Sequence, residues 1–247
     1  MKWVIASIIQ MFFTLFLYIV GIIIIGLAIY PGVLLCIWIW QSSTGVLPYY
    51  WRVLFLCFGI TAAYFIYGIC LIFIVGVFRF VFRLTLQEGE YSMHSLGALK
   101  WALTNSLVLV VSNTFMDFIL LTPLAAIFYR LMGAKVGKNV QINSKYCADL
   151  SLIEIEDEAV IGGHATVIGH SFERGRLILK KVKIGKGAVV GLNSVILPGT
   201  EIGERAVIAA GAVLAKNTKV QPRSVYFGVP AMSVKQRRKE KGIRAVS

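Results

Sequence analysis

An aliphatic residue recurs at every sixth position in the C-terminal part of this 247-residue chain. Six residues match neither the period of an α-helix nor the alternation of a single strand. A fixed short period is typical of a solenoid, here one whose flat faces are short parallel strands that each point one aliphatic side chain into a shared core. The aliphatic positions are Ile184, Val190, Ile196, Ile202, Ile208, Leu214 and Val220.

Two further slots recur with the same period. Glycine follows the aliphatic residue at 185, 191 and 203, where we expect the chain to bend tightly. Small residues stand four places after the aliphatic position, which predicts crowded corners; they are Ala188, Ser194, Thr200, Ala206, Ala212, Thr218 and Ser224.

Two irregularities interrupt the period before residue 184. One extra residue lies between Ala148 and Ile155, after which the aliphatic positions are displaced by one. After Val167 the next aliphatic residue in register is Ile178, eleven residues on. Residues 168–177 are therefore predicted to leave the coil as a short loop, and insertions of this kind in solenoids tend to carry the binding function.

The N-terminal part has the composition of a membrane domain. The chain is 57% hydrophobic and 15% charged, and residues 1–99 hold only four of its 25 basic and two of its 12 acidic residues. The uncharged runs predict two membrane spans, at about residues 4–29 and 53–78, in a transmembrane domain of residues 1–100, since a span needs about 20 apolar residues.

The flanking charges predict the orientation of these spans. Aromatic residues crowd the connection between them, as at a bilayer interface, and residues 41–50 contain no basic residue. The next connection, residues 79–100, contains three. The positive-inside rule then places the N-terminus, residues 79–100 and the repeat domain of this integral membrane protein in the cytoplasm.

A third apolar stretch, residues 101–128, has polar residues inside it and basic residues on both flanks. We predict re-entrant or interfacial helices over residues 101–131, broken near Ser112–Asn113, with both ends cytoplasmic. Asp117 is costly in an apolar run and points to a function or to helix packing. The alternative is that Asp117 caps the second half-helix or lies in the headgroup layer.

The net charge of +13 belongs mainly to the second half of the chain. Such a surface attracts lipid headgroups, phosphorylated cofactors or nucleic acid. No nucleic-acid motif is present, so nucleic acid is not an expected partner. The four cysteines show neither metal-ligand spacing nor a disulfide framework, and we predict no metal site.

The repeats also carry specific motifs. Residues 184–203 begin Ile-Gly-Lys-Gly-Ala and contain Leu192-Asn-Ser-Val, and residues 227–231 read Phe-Gly-Val-Pro-Ala. Upstream, Met132-Gly-Ala-Lys-Val-Gly resembles the first turn of the same kind of domain. This order of elements resembles the hexapeptide-repeat acyltransferases, among them acetyltransferases of sugars, antibiotics and Nod-type oligosaccharides.

The resemblance covers residues 132–232 and implies a left-handed parallel β-helix there. With the predicted transmembrane α-helices before it and a basic tail at 233–247, the predicted chain is α+β; the membrane part departs from the pattern of the family, most of whose members are soluble. The resemblance also implies a homotrimer and acetyl-CoA, or another acyl-CoA, as co-substrate. The tail is expected to attract anionic lipid, to close the trimer or to remain solvated.

The same resemblance suggests catalytic residues. In the family, a histidine beside an extruded loop takes the proton from the acceptor hydroxyl or amine, and this implies His170 as general base, with His164 as the second candidate. Both could instead be ordinary corner or interface histidines. Glu173 is a candidate to orient the imidazole, with a solvated loop carboxylate as the alternative.

Coenzyme A lies in the family along a groove between subunits, lined by small residues. The resemblance implies as cofactor-binding residues Asn193, Ala209, Ala210, Gly211, Lys216, Gly228, Pro230 and Ala231. Diffuse attraction for phosphates is a further expectation for Lys183, Lys186 and Arg223, although for each lysine alone a solvated charge is the plainer interpretation.

Together these features predict a membrane-anchored acyltransferase that acts on a membrane-associated sugar, glycolipid or envelope precursor. A peptide or amine acceptor is also open, because some multi-membrane peptide synthetases end in a similar module. One alternative is a non-catalytic trimeric membrane scaffold. Another is a zinc enzyme resembling the γ-type carbonic anhydrases, whose three-histidine zinc site the spacing of His164 and His170 does not reproduce.

Overall fold

The computed structural model describes residues 2–233 and 237, with side chains from residue 10 onward. Most of the predicted basic tail therefore lies outside the described residues. The described part has two portions: five helices, and a solenoid of short strands. The helices are α1 (Lys2–Ser43), α2 (Tyr49–Val81), α3 (Leu96–Thr114), α4 (Met116–Ile119) and α5 (Pro123–Leu131).

The strands are β1 (Gly89–Ser92), β2 (Lys135–Val136), β3 (Gln141–Ile142), β4 (Ile153–Ile155), β5 (Val160–Ile161), β6 (Thr166–Val167), β7 (His170–Glu173), β8 (Arg176–Leu179), β9 (Val182–Ile184), β10 (Val189–Val190), β11 (Val195–Ile196), β12 (Glu201–Ile202), β13 (Val207–Ile208), β14 (Val213–Leu214), β15 (Lys219–Val220), β16 (Val225–Phe227) and β17 (Met232–Ser233). A 3₁₀ turn lies at Leu150–Leu152.

The repeats wind into three parallel sheets. Face one is β2-β4-β9-β12-β15, face two is β3-β5-β10-β13-β16 with β17 added antiparallel, and face three is β6-β11-β14. Val189 pairs with Val207 and Val195 with Val213, so one coil takes 18 residues, six for each face. The seven aliphatic residues that define the period, from Ile184 to Val220, are all buried, as the period predicts.

The glycines that follow the aliphatic positions are required by stacking between coils. A Cβ on Gly191 would lie 2.6 Å from the carbonyl oxygen of Ile208, and one on Gly185 would lie 2.7 Å from that of Ile202. Both positions therefore need glycine because the next coil approaches closely, rather than because of a tight bend. Five of the seven small residues at the second slot are fully buried, in agreement with crowded corners: Ala188, Ser194, Thr200, Ala206 and Ala212. Thr218 and Ser224, in the last turns, are partly exposed.

Both register irregularities have a structural basis. Gln141 pairs with Val160, which is nineteen residues on instead of the regular eighteen. The single extra residue therefore lies between them, in the segment that contains Asp149. The larger insertion is an antiparallel hairpin of β7 and β8 rather than an irregular loop. Ile178 belongs to β8 of this hairpin, so its assignment to the coil register was wrong, and the coil resumes at β9.

The helical portion packs onto the first coils of the solenoid. Tyr129 on α5 donates its hydroxyl hydrogen to the carbonyl of Ser144, and the backbone N–H of Leu121 donates to that of Ile142. The third apolar stretch is broken close to the predicted Ser112–Asn113: α3 ends at Thr114, and the break extends over residues 115–122, which include the short α4. Buried residues of α1, α2, α3 and the coil form one continuous hydrophobic cluster.

The two long helices extend beyond the predicted spans. Within the described residues, Gln10–Ser43 and Tyr49–Val81 are long and apolar enough to cross a membrane. They approach closely where residues are small: a Cβ on Gly32 would lie 2.8 Å from the Cβ of Ala63. Close packing at small residues is the usual means by which apolar helices associate.

We predict that Gly68→Ala destabilises the contact between α2 and the end of α3. A Cβ on Gly68 would lie 2.1 Å from Cδ2 of Phe115, which is itself buried. Overpacking of this kind costs about 1–3 kcal/mol, so the melting temperature in detergent should fall. Gly26→Ala is the matched control, because nothing lies within 4 Å of its added Cβ. Equal melting of the two variants would contradict the packing described.

Candidate active site

The most polar buried cluster of the described residues centres on Asp149. This residue lies in the left-handed backbone region, with φ 58°, immediately before the 3₁₀ turn, and its side chain is fully buried. Its Oδ2 is 2.6 Å from Nδ1 of His170 and accepts a hydrogen bond from the backbone N–H of Gly169 at 2.9 Å. Because a carboxylate only accepts, Nδ1 of His170 carries the proton in this pair.

The other carboxylate oxygen is held by α3. Oδ1 of Asp149 accepts from Nε1 of Trp101 at 2.7 Å and from Nδ2 of Asn105 at 2.9 Å. The Asn105 carbonyl oxygen in turn accepts from the backbone N–H of Asp149 at 3.0 Å. A buried carboxylate needs such donors, since its desolvation is otherwise costly.

Aromatic rings flank the imidazole. The ring centroid of Trp101 lies 4.9 Å from that of His170, and the centroid of Phe172 lies 5.7 Å from it. The His170 side chain is 21% exposed, and its Nε2 makes no hydrogen bond to any described residue. Nε2 is therefore the nitrogen available for proton transfer.

Two contacts hold the hairpin that carries His170 in place, one along the edge of β8 and one beneath the hairpin. β1, in the segment between α2 and α3, pairs with β8, and Glu90 pairs with Arg176 across this contact at 3.2 Å. Beneath it, a small apolar cluster joins the hairpin, the 3₁₀ turn and α3; its buried members are Leu86, Ala98, Leu152, Leu177 and Leu179.

Glu173 does not orient the imidazole. It accepts hydrogen bonds from the Lys216 ammonium and the Ser171 hydroxyl. Both bonds lower the pKa of this exposed carboxyl, and the bond from Lys216 has the larger effect. Lys216, a predicted cofactor contact, is thereby tied to the hairpin of His170. Asp149 occupies the position that was considered for Glu173.

The predicted site residues lie at two different corners of the three-faced coil. His170 and Lys216 lie where face three meets face one. His164, which is exposed and has φ 56°, lies where face two meets face three. Asn193 donates its N–H to Gly163 O and Gly211 to Leu192 O, so these turns stack on the His164 corner.

The remaining predicted cofactor residues, Ala209, Ala210, Gly228, Pro230 and Ala231, belong to the same corner as His164 or to the segment beside it: Val213 N–H donates to Gly228 O, and Ala231 N–H donates to Val213 O. Within one chain, His170 and the small-residue corner thus form opposite edges of face three. No group of three or more His, Cys, Asp or Glu side chains among the described residues is placed to hold a metal ion.

Cys147 is a structural thiol in the first coil of the solenoid. It is buried, and desolvation raises its pKa to about 11 although Tyr129 and the Val167 backbone interact with it in the opposite sense. A thiol with this pKa stays protonated at neutral pH and is a poor nucleophile.

Comparison with known proteins agrees with the repeat. Residues 181–216 match the family model described as the hexapeptide repeat of succinyl-transferase. This match identifies hexapeptide repeats in that part of the chain. The match spans two coils, from the end of the hairpin to the corner that holds Lys216.

Similar solved structures include other hexapeptide-repeat proteins. One is the acetyltransferase VCA0836 of Vibrio cholerae O1 biovar eltor, complexed with acetyl coenzyme A: 20% identity, 62% of this chain, 96% of that chain, TM-score 0.46. Another is a galactoside acetyltransferase in complex with coenzyme A: 20% identity, 62% of this chain, 90% of that chain, TM-score 0.47. Neither likeness assigns a residue or a ligand to the present chain.

A curated relative is the delta-poly-L-ornithine synthetase of Acinetobacter baumannii (strain AB307-0294). It is 24% identical over 140 residues, which make up 56% of this chain. The present hexapeptide-repeat chain spans only 10% of the length of that relative.

Asp149, Asn105 and Trp101 were not recognised in the sequence as site residues. One signal was available for Asp149, because it lies at the single-residue slip in the six-residue period. Asn105 is a polar residue inside an apolar stretch. Nothing in the spacing connects α3 with the hairpin, since Trp101 and His170 are far apart in sequence and meet only through the packing of α3.

Proposed function

We propose that this protein is a membrane-anchored acyltransferase that transfers an acetyl group from acetyl-CoA to a hydroxyl or amine. The observation that carries the proposal is the His170–Asp149 pair on the hairpin that interrupts the coil. Its geometry suits general-base catalysis, because Asp149 fixes the proton on Nδ1 and leaves Nε2 free.

In the proposed reaction, Nε2 of His170 takes the proton from the acceptor as its oxygen or nitrogen attacks the thioester carbonyl carbon. The negative charge of Asp149 stabilises the imidazolium that forms. Collapse of the tetrahedral intermediate breaks the C–S bond, the imidazolium of His170 gives its proton to the departing sulfur, and coenzyme A leaves as the thiol.

We further propose that the site is completed in a homotrimer. His170 and the edge formed by Asn193, Ala209–Gly211 and Gly228 lie on opposite edges of face three. If copies associate around a three-fold axis, one edge of a copy meets the other edge of the next. Coenzyme A would then lie against the small residues of one copy and face the hairpin and Lys216 of the next.

The outer surfaces of the faces support this arrangement. Face one carries alternating charges in cross-strand register, from Lys135 through Glu154, Lys183 and Glu201 to Lys219, as expected for a surface in water. Faces two and three instead present valines outward, including Val207 and Val225, which are 37% and 45% exposed, and Val195 and Val213. An exposed apolar surface of this kind marks a site of interaction with another protein surface.

The membrane anchor suggests the acceptor class: a lipid-linked sugar, glycolipid or envelope precursor. Most apolar side chains of α1 and α2 are exposed, whereas a core helix of a soluble protein would bury them. Trp40 packs against the guanidinium of Arg52, with 4.2 Å from its carbon to the ring centroid, at the aromatic-rich connection between α1 and α2. We place this connection at the outer interface and the repeat domain in the cytoplasm.

His170→Ala should abolish most acetyl transfer. Loss of a positioned general base typically costs about 10²–10⁴ in rate. The measurement is release of free coenzyme A from acetyl-CoA with envelope lipid or glycan extracts as acceptor. His94→Ala is the matched control and should retain activity, because this exposed histidine lies outside both corners of the proposed site. Full activity of the His170→Ala variant would contradict the assignment of His170 as general base.

Absence of any coenzyme A binding by the native protein would favour a non-catalytic scaffold.

Membrane topology is tested by cysteine labelling. With Cys36, Cys57 and Cys70 replaced by alanine, Val46→Cys should react with a membrane-impermeant maleimide in intact cells. Leu96→Cys should react only after the cells are opened. Both positions are well exposed, at 76% and 84%, so differences in labelling report the side of the membrane. The reverse pattern would overturn the proposed orientation.

A further inference from the structure

The carboxylate of Asp149 is shared between two parts of the molecule. Oδ2 contacts the hairpin, through His170 and the N–H of Gly169. Oδ1 contacts α3, through Trp101 and Asn105. Among the described residues, the coil supplies no donor to Oδ1. The repeat domain alone therefore leaves half of this buried carboxylate without a partner.

The sequence of α3 places both donors on one side of the helix. Trp101 and Asn105 are four residues apart, so they lie one turn apart on the same face. The start of the helix is fixed by Ser95, whose hydroxyl accepts from the backbone N–H of Ala98. Ala98, on the turn that precedes Trp101, is buried in the apolar cluster beneath the hairpin.

Asn105 holds the backbone of Asp149 as well as its side chain. Its Nδ2 donates to Oδ1 of Asp149 and to the carbonyl of Trp101, which leaves its oxygen to accept from the Asp149 N–H at 3.0 Å. These bonds define the orientation of the amide. They also stabilise Asp149 in its left-handed conformation, from which the carboxylate reaches His170.

We infer that Trp101 and Asn105 are positioning residues that act on His170 through Asp149. This inference rests on the proposed function for its catalytic meaning. With both Oδ1 donors in place, the carboxylate has one orientation, and Oδ2 fixes the tautomer and ring plane of His170. Without them, the carboxylate is free to turn, and Nε2 spends less time aimed at the acceptor.

The test compares Trp101→Phe and Asn105→Ala with matched controls in the full-length protein. Trp101→Phe keeps an aromatic ring but removes the indole N–H donor together with part of the side-chain volume, which is why its control is also a Trp→Phe change. Its control is Trp51→Phe, at the connection between the long helices. The control for Asn105 is Ser106→Ala, whose hydroxyl bonds only to Ala102 O within α3. We expect kcat to fall about tenfold or more in the two test variants and not in the controls. KM for acetyl-CoA should stay unchanged, because neither residue lies at the small-residue edge.

A second readout does not depend on activity. ¹⁵N NMR of histidine-labelled protein at pH 8 distinguishes the tautomers of its three histidines, His94, His164 and His170. Native His170 should carry its proton on Nδ1, and Trp101→Phe and Asn105→Ala should shift part of the population to Nε2, while His94 and His164 stay unchanged. The controls should match the native spectrum.

The outcomes separate the two claims. If the native protein transfers no acyl group but the tautomer shifts as expected, the proposed function fails and the positioning role stands. If the tautomer of His170 is unchanged in both variants, or if kcat falls only as far as the folded fraction does, then Trp101 and Asn105 are structural and the inference is overturned.

Discussion

The carboxylate of Asp149 is fully buried, and a buried charge persists in a protein only when it is well hydrogen-bonded. Its four donors come from α3, from the turn after β6 and from the hairpin. This single group therefore ties the helical portion to the solenoid at the point where the coil is interrupted. The placement of His170, the packing of α3 against the coil and the path of the hairpin all depend on it.

The solenoid provides a rigid frame for that site. Coils stack so closely that Gly191 has no room for a side chain below Ile208, and the 18-residue turn repeats without drift from β9 to β16. On this frame, the hairpin and the small-residue corner lie on the two edges of face three. A single copy thus presents the two halves of the proposed site on opposite edges, which is why association of copies is central to the proposed chemistry.

The six-residue period was enough to predict a coil of short parallel strands with inward aliphatic residues and small residues at its corners, because each depends on local spacing. It also located the insertion that carries His170. It assigned Ile178 to the coil incorrectly, since a β-branched residue in a hairpin looks the same in sequence as one in a coil strand. The handedness of the coil and the trimer stay predictions.

The partner of His170 could not be predicted in the same way. Glu173 is near in sequence but pairs with Lys216, whereas Asp149 is 21 residues away and is brought in by the coil. Trp101 and Asn105 are further still, and they reach Asp149 only because α3 packs beside the hairpin. Long-range packing of this kind leaves no periodic trace, although the one-residue slip at Asp149 marked the place.

The account is tested most directly by a cryo-electron microscopy structure of the full chain in lipid nanodiscs with coenzyme A bound. We predict a trimer in which the coenzyme A thiol lies in the seam between two copies, within reach of Nε2 of His170 from one copy and beside Asn193 and Gly211 of the next. A monomer, or coenzyme A bound away from His170, would contradict it.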